Sequence, residues 1–288
     1  MSELDCQYVS SHGILKSCTL AIKNFNEPNI PFNISYLKKG NTLYLDSTLV
    51  KKFYKDYWGF IKEPIILVSG NQDINFTDFD GLEGLLASDK LIRWFSQNMC
   101  LTHEKCEHVP IGLDYHTLYA HLGMNHPWST GKMPLYQDLI LNDISKKGQP
   151  FKLRKPQAFC NWQFYLDRGD RRDVLRRTDK RALYLVPGYQ RREEAWINQT
   201  EYAFVCSPSG GGLDCHRTWE ALVLGCVPIV KTSGMDRLFD GLPVWIVGDW
   251  SEVTLEACLA KKEEFIGKAY NLEKLCLQYW IKRIRCAA

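Results

Sequence analysis

The residues best suited to chemistry lie in one run, Phe204-Val205-Cys206-Ser207-Pro208-Ser209-Gly210-Gly211-Gly212-Leu213-Asp214-Cys215-His216-Arg217-Thr218-Trp219-Glu220-Ala221-Leu222. It reads as a buried strand, a Ser/Gly loop and a helix in direct succession. That order aims free backbone N–H groups and the positive end of a helix at one point, an arrangement that binds phosphate. Gly210, Gly211 and Gly212 let the backbone approach the phosphate with no Cβ between them. The plainer reading of the three glycines is a flexible turn. Ser207, Ser209 and Asp214 complete the expected donor loop. On the helix, about 100° per residue groups Trp219, Leu222 and Val223 on one side and His216, Arg217 and Glu220 on another. One face packs and the other is free to meet a ligand, with Arg217 on phosphate oxygens and Glu220 on a ribose. The alternative is a surface pair between Arg217 and Glu220, three residues apart. On either reading, removing Glu220 is expected to leave the fold intact. No G-x-x-x-x-G-K-[ST] occurs and the glycines are contiguous, so the spacing points away from a P-loop kinase and from a dinucleotide dehydrogenase.

The elements that position this run alternate short apolar stretches with amphipathic ones, the pattern of parallel sheets covered by helices, and the class is α/β. Ser47 to Phe60 reads as helical, Pro64 to Ser69 as a buried strand ending in the Gly70-Asn71-Gln72-Asp73 turn, Leu91 to Phe95 as a strand, and His108 to Leu113 as an extended segment. These place a first domain over 1–115. Residues 116–150, with Gly123, Pro127, Gly131, Pro134 and a helical run at Leu135 to Ile144, read as the interdomain linker. A second domain over 151–271 has strands at Gln157 to Asn161, Ala182 to Val186, Tyr202 to Cys206, Val227 to Val230 and Val244 to Val247. Its helices are expected at Arg171 to Arg177, Arg191 to Asn198, Asp214 to Leu224 and Thr254 to Phe265. A doubly wound sheet of this kind binds ligands at the carboxyl ends of its strands. Residues 272–288 carry a last amphipathic helix, Leu272 to Arg285, expected to pack back across the first domain.

Composition sets the bounds. The chain has 288 residues and is 45% hydrophobic, enough for two cores. Its 36 Lys and Arg against 33 Asp and Glu give a formal charge of only +3, far from a dedicated nucleic-acid binder. The first thirty residues hold Asp5, Lys16, Lys23 and Glu27 and no signal-like apolar run, and no later stretch approaches a membrane span. The expectation is a soluble protein of the cytoplasm. Eleven cysteines, an odd number in a long chain, are expected as reduced thiols, with Cys206, Cys226 and Cys258 inside apolar runs. The sequons at Asn33, Asn75 and Asn198 are then expected to be unmodified.

At this point the residues resemble a known family. The run from Phe204 through Trp219-Glu220-Ala221-Leu222 and on to Leu224-Gly225-Cys226-Val227-Pro228-Ile229-Val230 resembles the donor-binding end of exostosin-like glycosyltransferases of the two-Rossmann, GT-B type. Trp94-Phe95-Ser96-Gln97-Asn98 and Pro110-Ile111-Gly112-Leu113-Asp114 resemble the acceptor side of that family more loosely. Within the family, the short chain is similar to the soluble xylosyltransferases of chloroviruses. The resemblance implies two Rossmann-like doubly wound domains facing a cleft. It implies transfer of a sugar, xylose from UDP-xylose with inversion, onto a glycan acceptor such as fucose of a viral capsid glycan, in the host cytoplasm. It also implies a ribose contact at Glu220 and a diphosphate contact from the Arg168, Arg171 and Arg172 cluster, with Arg171 preferred. A charge run of that kind is otherwise a solvated helix start.

Inverting transfer needs a base that takes a proton from the acceptor hydroxyl while positive groups neutralise the leaving nucleotide. Asp73 is the chosen base, because its polar turn follows a buried strand of the first domain and faces the expected cleft; Asp78, Asp80 and Asp114 are its rivals. Otherwise Asp73 is a turn residue bonding its own backbone. Asp78-Phe79-Asp80 spells a D-x-D, but two hard carboxylates are too few to specify a metal. Cys100, His103, Cys106 and His108 lack paired C-x-x-C spacing for zinc. No metal or other cofactor is expected beyond the UDP-sugar donor. Two alternatives remain: a non-catalytic nucleotide-sugar or glycan-binding module of the same fold, and a metal-dependent nucleotidyl or phosphoryl transferase.

Overall fold

The computed structural model describes residues 2–26, 29–117, 131–162 and 164–287. Glu27, the linker stretch containing Gly123 and Pro127, and Gln163 lie outside the described residues.

Two parallel sheets of five strands each make the α/β architecture. The first contains β1 (Leu20–Ile22), β2 (Thr42–Asp46), β3 (Ile65–Gly70), β4 (Leu91–Ser96) and β5 (Cys106–His108), paired in that order. β2 and β3 are buried at every position, as strands covered on both faces must be. One face carries α2 (Ile30–Ser35), α3 (Val50–Asp56) and α4 (Leu82–Ala87), whose Ile30, Ile34, Phe53, Leu82 and Leu85 pack with Leu43, Leu45, Ile65, Leu67 and Trp94. These three helices are the successive crossovers, and a strand order that never reverses puts them on one side. The first sheet is therefore not doubly wound, contrary to the sequence expectation. Its other face is covered from the two ends of the described chain. α1 (Ser11–Ser17) supplies Ile14 and Leu15, and α10 (Leu277–Arg285) supplies Leu277, Trp280, Ile281 and Ile284, against Tyr44, Ile66, Val68 and Phe95. The tail helix does pack back onto the first half, and Arg283 adds an ion pair to Glu107 on β5 at 2.6 Å. The expected helix over Ser47 to Phe60 is α3 flanked by two short 3-10 turns, and the extended segment expected at His108 to Leu113 begins earlier, as β5.

The second sheet contains β6 (Lys155–Cys160), β7 (Leu183–Leu185), β8 (Tyr202–Cys206), β9 (Val227–Lys231) and β10 (Trp245–Val247). Its order is β10-β9-β8-β6-β7, so the chain steps outward from β6 to β7 and then reverses across β6 to β8. The reversal opens a crevice at the carboxyl ends of β6 and β8. Around it stand α6 (Arg171–Arg177), α7 (Arg192–Gln199), α8 (His216–Val223) and α9 (Leu255–Phe265). α8 ends at Gly225, whose φ of 70° suits glycine.

The linker helix, α5 (Pro134–Lys147), is bonded to both halves. Asp138 accepts the Gln7 and Tyr8 amides at 3.0 and 3.2 Å, while Ser145 donates to the Val223 carbonyl at 2.5 Å. One hydrophobic cluster runs from Tyr44 and Phe95 of the first sheet to Phe159 and Val205 of the second. No helix among the described residues is long and apolar enough to cross a membrane.

Candidate active site

The loop between β8 and α8 closes the crevice of the second sheet. Its first residues are fixed by the protein itself. The Ser207 amide donates to Ile229 O at 2.9 Å and its hydroxyl meets Thr218 at 2.8 Å. The Ser209 amide and hydroxyl both donate to Asp170 Oδ1, at 2.7 and 2.8 Å, and the Trp250 indole donates to the other oxygen of Asp170. Gly169, at φ 54°, lies so close to Ser209 that any Cβ there would overlap its backbone. The sequence assigned Ser207 and Ser209 to a donor. Their hydrogen bonds instead brace the loop, because buried or half-buried polar groups need partners in the free protein.

The Gly210 amide donates to Gly212 O at 3.1 Å, while no hydrogen bond among the described residues uses the Gly211 or Gly212 amide. Arg171 reaches this point from α6 with Nη2 3.6 Å from where a Gly210 Cβ would stand, held by an Nη1 bond to Tyr165 O at 2.9 Å. Its Nε is buried without a partner. Arg217 is placed by Nη1 bonds to Pro208 O at 3.1 Å and Ser207 Oγ at 3.4 Å. Neither guanidinium has a carboxylate within 4 Å among the described residues. Burial first, then the like charges of Arg217 and Arg168, lower Arg171 to about 10. Two like charges that raise each other's energy, beside two unbonded backbone amides, form a site that an anion would relieve. Tyr165, whose carbonyl takes the Arg171 bond, and Tyr189 present exposed rings 6.5 Å apart, with Phe164 stacked on Tyr189 at 4.6 Å. Sequence reading missed them because Tyr189 follows β7, away from the glycine loop in the chain.

The first half faces this loop directly. A Cβ on Gly211 would overlap the Asp73 carboxylate, and one on Gly212 would stand 2.7 Å from Asn98 Nδ2. The Asp73 carboxylate therefore stands directly against Gly211. Asp78 and Asp80 are exposed on the approach to α4. Asp114 is half-buried, with its Oδ1 3.7 Å from His116 Nδ1 and accepting the Thr117 amide at 3.0 Å. Burial alone would raise the Asp114 carboxyl, but His216, His116, Arg192 and the Thr117 amide together hold it below its ordinary value.

Three further expectations are corrected. Asp214 does not open the helix; it sits before it, 2% exposed, and pins the halves together. Its amide donates to Asn98 Oδ1 at 2.9 Å, while its carboxylate accepts the Ile111 amide at 2.7 Å and the Trp219 indole at 2.9 Å. His216 Nδ1 donates to Gly112 O at 2.7 Å, because a carbonyl can only accept. Glu220 does not meet Arg217. Its Oε1 holds Arg192 at 2.6 Å, a guanidinium only 3% exposed that also bonds Gln137 and stacks 4.5 Å from the Trp196 ring. Glu220 Oε2 has no hydrogen bond among the described residues.

Burial pushes the Asp214 carboxyl up to about 6 from an ordinary 3.8. Between those values the folded chain holds a proton that the unfolded chain releases, so this group's contribution to stability falls as pH rises from about 4 to about 6. Asp214→Ala leaves two donors without acceptors, at about 1–3 kcal/mol for each buried group. Urea unfolding is expected to give a loss of about 2–4 kcal/mol near pH 4 and a smaller one above pH 6, where removing the buried charge offsets part of the lost bonding. A loss that grows with pH would contradict this account.

A second cluster was not legible in the sequence. His12 of α1 donates Nε2–H to Asn71 Oδ1 at 3.2 Å and turns Nδ1 toward Glu3, 3.7 Å away and 1% exposed. Its ring stacks on His116 at 3.6 Å with a 19° interplanar angle. Glu3, His12 and His116 form the one potential metal-ligand group found among the described residues. A metal lies in the plane of each imidazole that binds it, and two nearly parallel planes 3.6 Å apart do not meet at one ion. The stack therefore holds no ion without turning a ring. Cys100, His103, Cys106 and His108 form no such group among the described residues, and all eleven cysteines are free thiols. No protein-family model matches the sequence, and no curated protein matches it.

Proposed function

We propose that the chain is a nucleotide-sugar-dependent glycosyltransferase of the GT-B type. The observation that carries the reading is the crevice at the strand reversal, where the unbonded Gly211 and Gly212 amides and two guanidiniums without a carboxylate partner lie beside Asp73 of the opposite half. Arg171, Arg217 and the Gly210-Gly211-Gly212 backbone bind the donor diphosphate and stabilise it as it leaves. Glu220 offers Oε2 to the ribose, and the rings of Tyr165 and Tyr189 offer faces to the nucleobase. Asp73 takes the proton from the acceptor hydroxyl, and the attack inverts the sugar. UDP-xylose as donor and a fucose-bearing glycan as acceptor follow from the sequence resemblance alone. The two arginines supply the positive charge that a divalent ion would otherwise bring, so no metal is needed.

The test is ligand stabilisation. UDP at 100 times its Kd is expected to stabilise the protein by about 2.7 kcal/mol, which is several degrees of Tm. Arg217→Ala is expected to weaken UDP at least tenfold, and EDTA to leave both binding and transfer unchanged. A nucleoside diphosphate that binds only with manganese, or binds the variant equally, would favour the metal-dependent alternative or none. A protein that binds UDP-sugar yet neither hydrolyses nor transfers it is the non-catalytic module.

A further inference from the structure

β2 and β3 end at Asp46 and Gly70, and the turn after Gly70 carries Asp73 to the cleft. The opposite edge of this sheet, where the two strands start, is bordered by aromatic rings that nothing covers. α2 buries Ile30 and Ile34 and turns Phe32 and Tyr36 outward, 60% and 67% exposed, so its outer face carries two large rings where a surface helix ordinarily carries charge. Phe60, 48% exposed, ends the 3-10 turn Trp58–Phe60, which packs against α2. The residues around these rings are cationic. Lys38 and Lys39 come just after Tyr36 and Lys62 just after Phe60, and the Gly40 amide ties the two stretches together by donating to Pro64 O at 2.9 Å. Arg285 of α10 reaches the same edge and donates to Ser17 O at 3.2 Å, just before β1. Glu63 and Asp89 are exposed there too, yet no carboxylate lies within 4 Å of any of these cations among the described residues.

We infer that this edge docks on the surface of a membrane leaflet rich in anionic lipid. Lipid phosphates and carboxylates neutralise Lys38, Lys39, Lys62 and Arg285, while Phe32, Tyr36 and Phe60 enter the headgroup level, where an aromatic ring loses water without losing polar contacts. Two other occupants fit less well. The rings of Phe32 and Tyr36 lie 4.6 Å apart at 57°, packed on each other as one apolar knob, so no base of a nucleic acid can slot between them. A second copy of the chain would bring the same cations against these, and like charges repel. Since the strands run from this edge toward the cleft, a leaflet seated here leaves the cleft open on the far side.

The experiment is flotation of the full chain with vesicles of phosphatidylcholine alone and of equal parts phosphatidylcholine and phosphatidylserine. The anionic vesicles are expected to bind at least tenfold more tightly than the neutral ones, and to lose at least tenfold at about 0.5 M salt, where screening acts within a few ångströms. Phe32→Ser with Tyr36→Ser, and separately Lys38→Glu with Lys39→Glu and Lys62→Glu, are each expected to weaken binding at least tenfold. Lys146→Glu with Lys147→Glu, exposed on α5, is expected to change it less than twofold. Phe60→Ser, on the neighbouring turn, repeats the test if the Phe32 and Tyr36 variant does not fold. The surface is overturned if neither vesicle binds, if both bind equally, or if the folded variants bind like the parent. It is also overturned if a single-stranded oligonucleotide binds more tightly than the anionic vesicles and is lost with the same variants. The docking surface stands apart from the transferase reading, which UDP binding tests separately.

Discussion

Asp73→Asn is expected to lower sugar transfer by about 10²–10⁴, the range for loss of a general base. UDP affinity should stay the same or rise slightly. Both parts follow from where the side chain lies. Its carboxylate is close enough to Gly211 to overlap any Cβ there, so it borders the glycine loop without belonging to it. Asparagine keeps the size and most of the hydrogen bonding but cannot accept the proton. It also removes a negative charge facing the site of an anionic ligand, and that is why binding does not suffer. Single-turnover transfer alongside UDP calorimetry separates the two effects. Transfer within a few-fold of the parent would reject Asp73 as the base and turn attention to Asp114, which His116 and His216 adjoin, before the exposed Asp80 and Asp78.

Glu220→Ala is expected to destabilise the fold by about 3 kcal/mol, at the low end for breaking a buried ion pair because Glu220 is 16% exposed. The sequence pattern suggested a side chain free to be removed. Arg192 is the reason it is not: this guanidinium, 3% exposed, links Gln137 of α5 to Glu220 of α8 and would lose the one carboxylate it pairs with among the described residues. Glu220→Gln keeps an acceptor for Arg192 and should cost about 1 kcal/mol, the scale of one hydrogen bond. The glutamine variant can therefore report on donor affinity without the confounding loss of fold. Equal urea midpoints for Glu220→Ala and the parent would show that Arg192 is satisfied without Glu220.

What was legible in the sequence is what local burial writes into it. β8 and β9 are apolar runs buried almost throughout, β6, β7 and β10 are apolar runs exposed in part, helices of 3.6 periodicity lie between them, and each was visible within a residue or two. The glycine loop was visible because only glycine leaves backbone open at that spacing. β1 and β2 were missed: three residues give β1 no periodicity, and β2 hides its burial behind Thr42, Tyr44 and Asp46, polar types that are buried by their neighbours. The order of the first sheet could not be read either, since periodicity records that a strand is covered and not which strand lies beside it.

The same limit governs the site. Asp73 and the glycines were each found by local pattern, but their meeting is a tertiary fact. Asp214 carries an acidic residue's sequence signal and a buried pin's environment, because Ile111 and Trp219 reach it from positions that the chain does not mark as its neighbours. Glu220 had an obvious partner in Arg217, three residues away on one helix, yet the fold delivers Arg192, and a desolvated guanidinium binds its carboxylate more tightly than a solvated one would. His12, His116 and His216 lie about a hundred residues apart with no motif among them, and only the packing of α1, the segment after β5 and α8 gathers them at the cleft. The sequence by itself determined the strands and helices of the second half and the glycine loop, because those depend on neighbours within a few residues. The tertiary structure alone decided which charges are paired and which are left for a ligand, because electrostatic energy depends on distance through space and on burial.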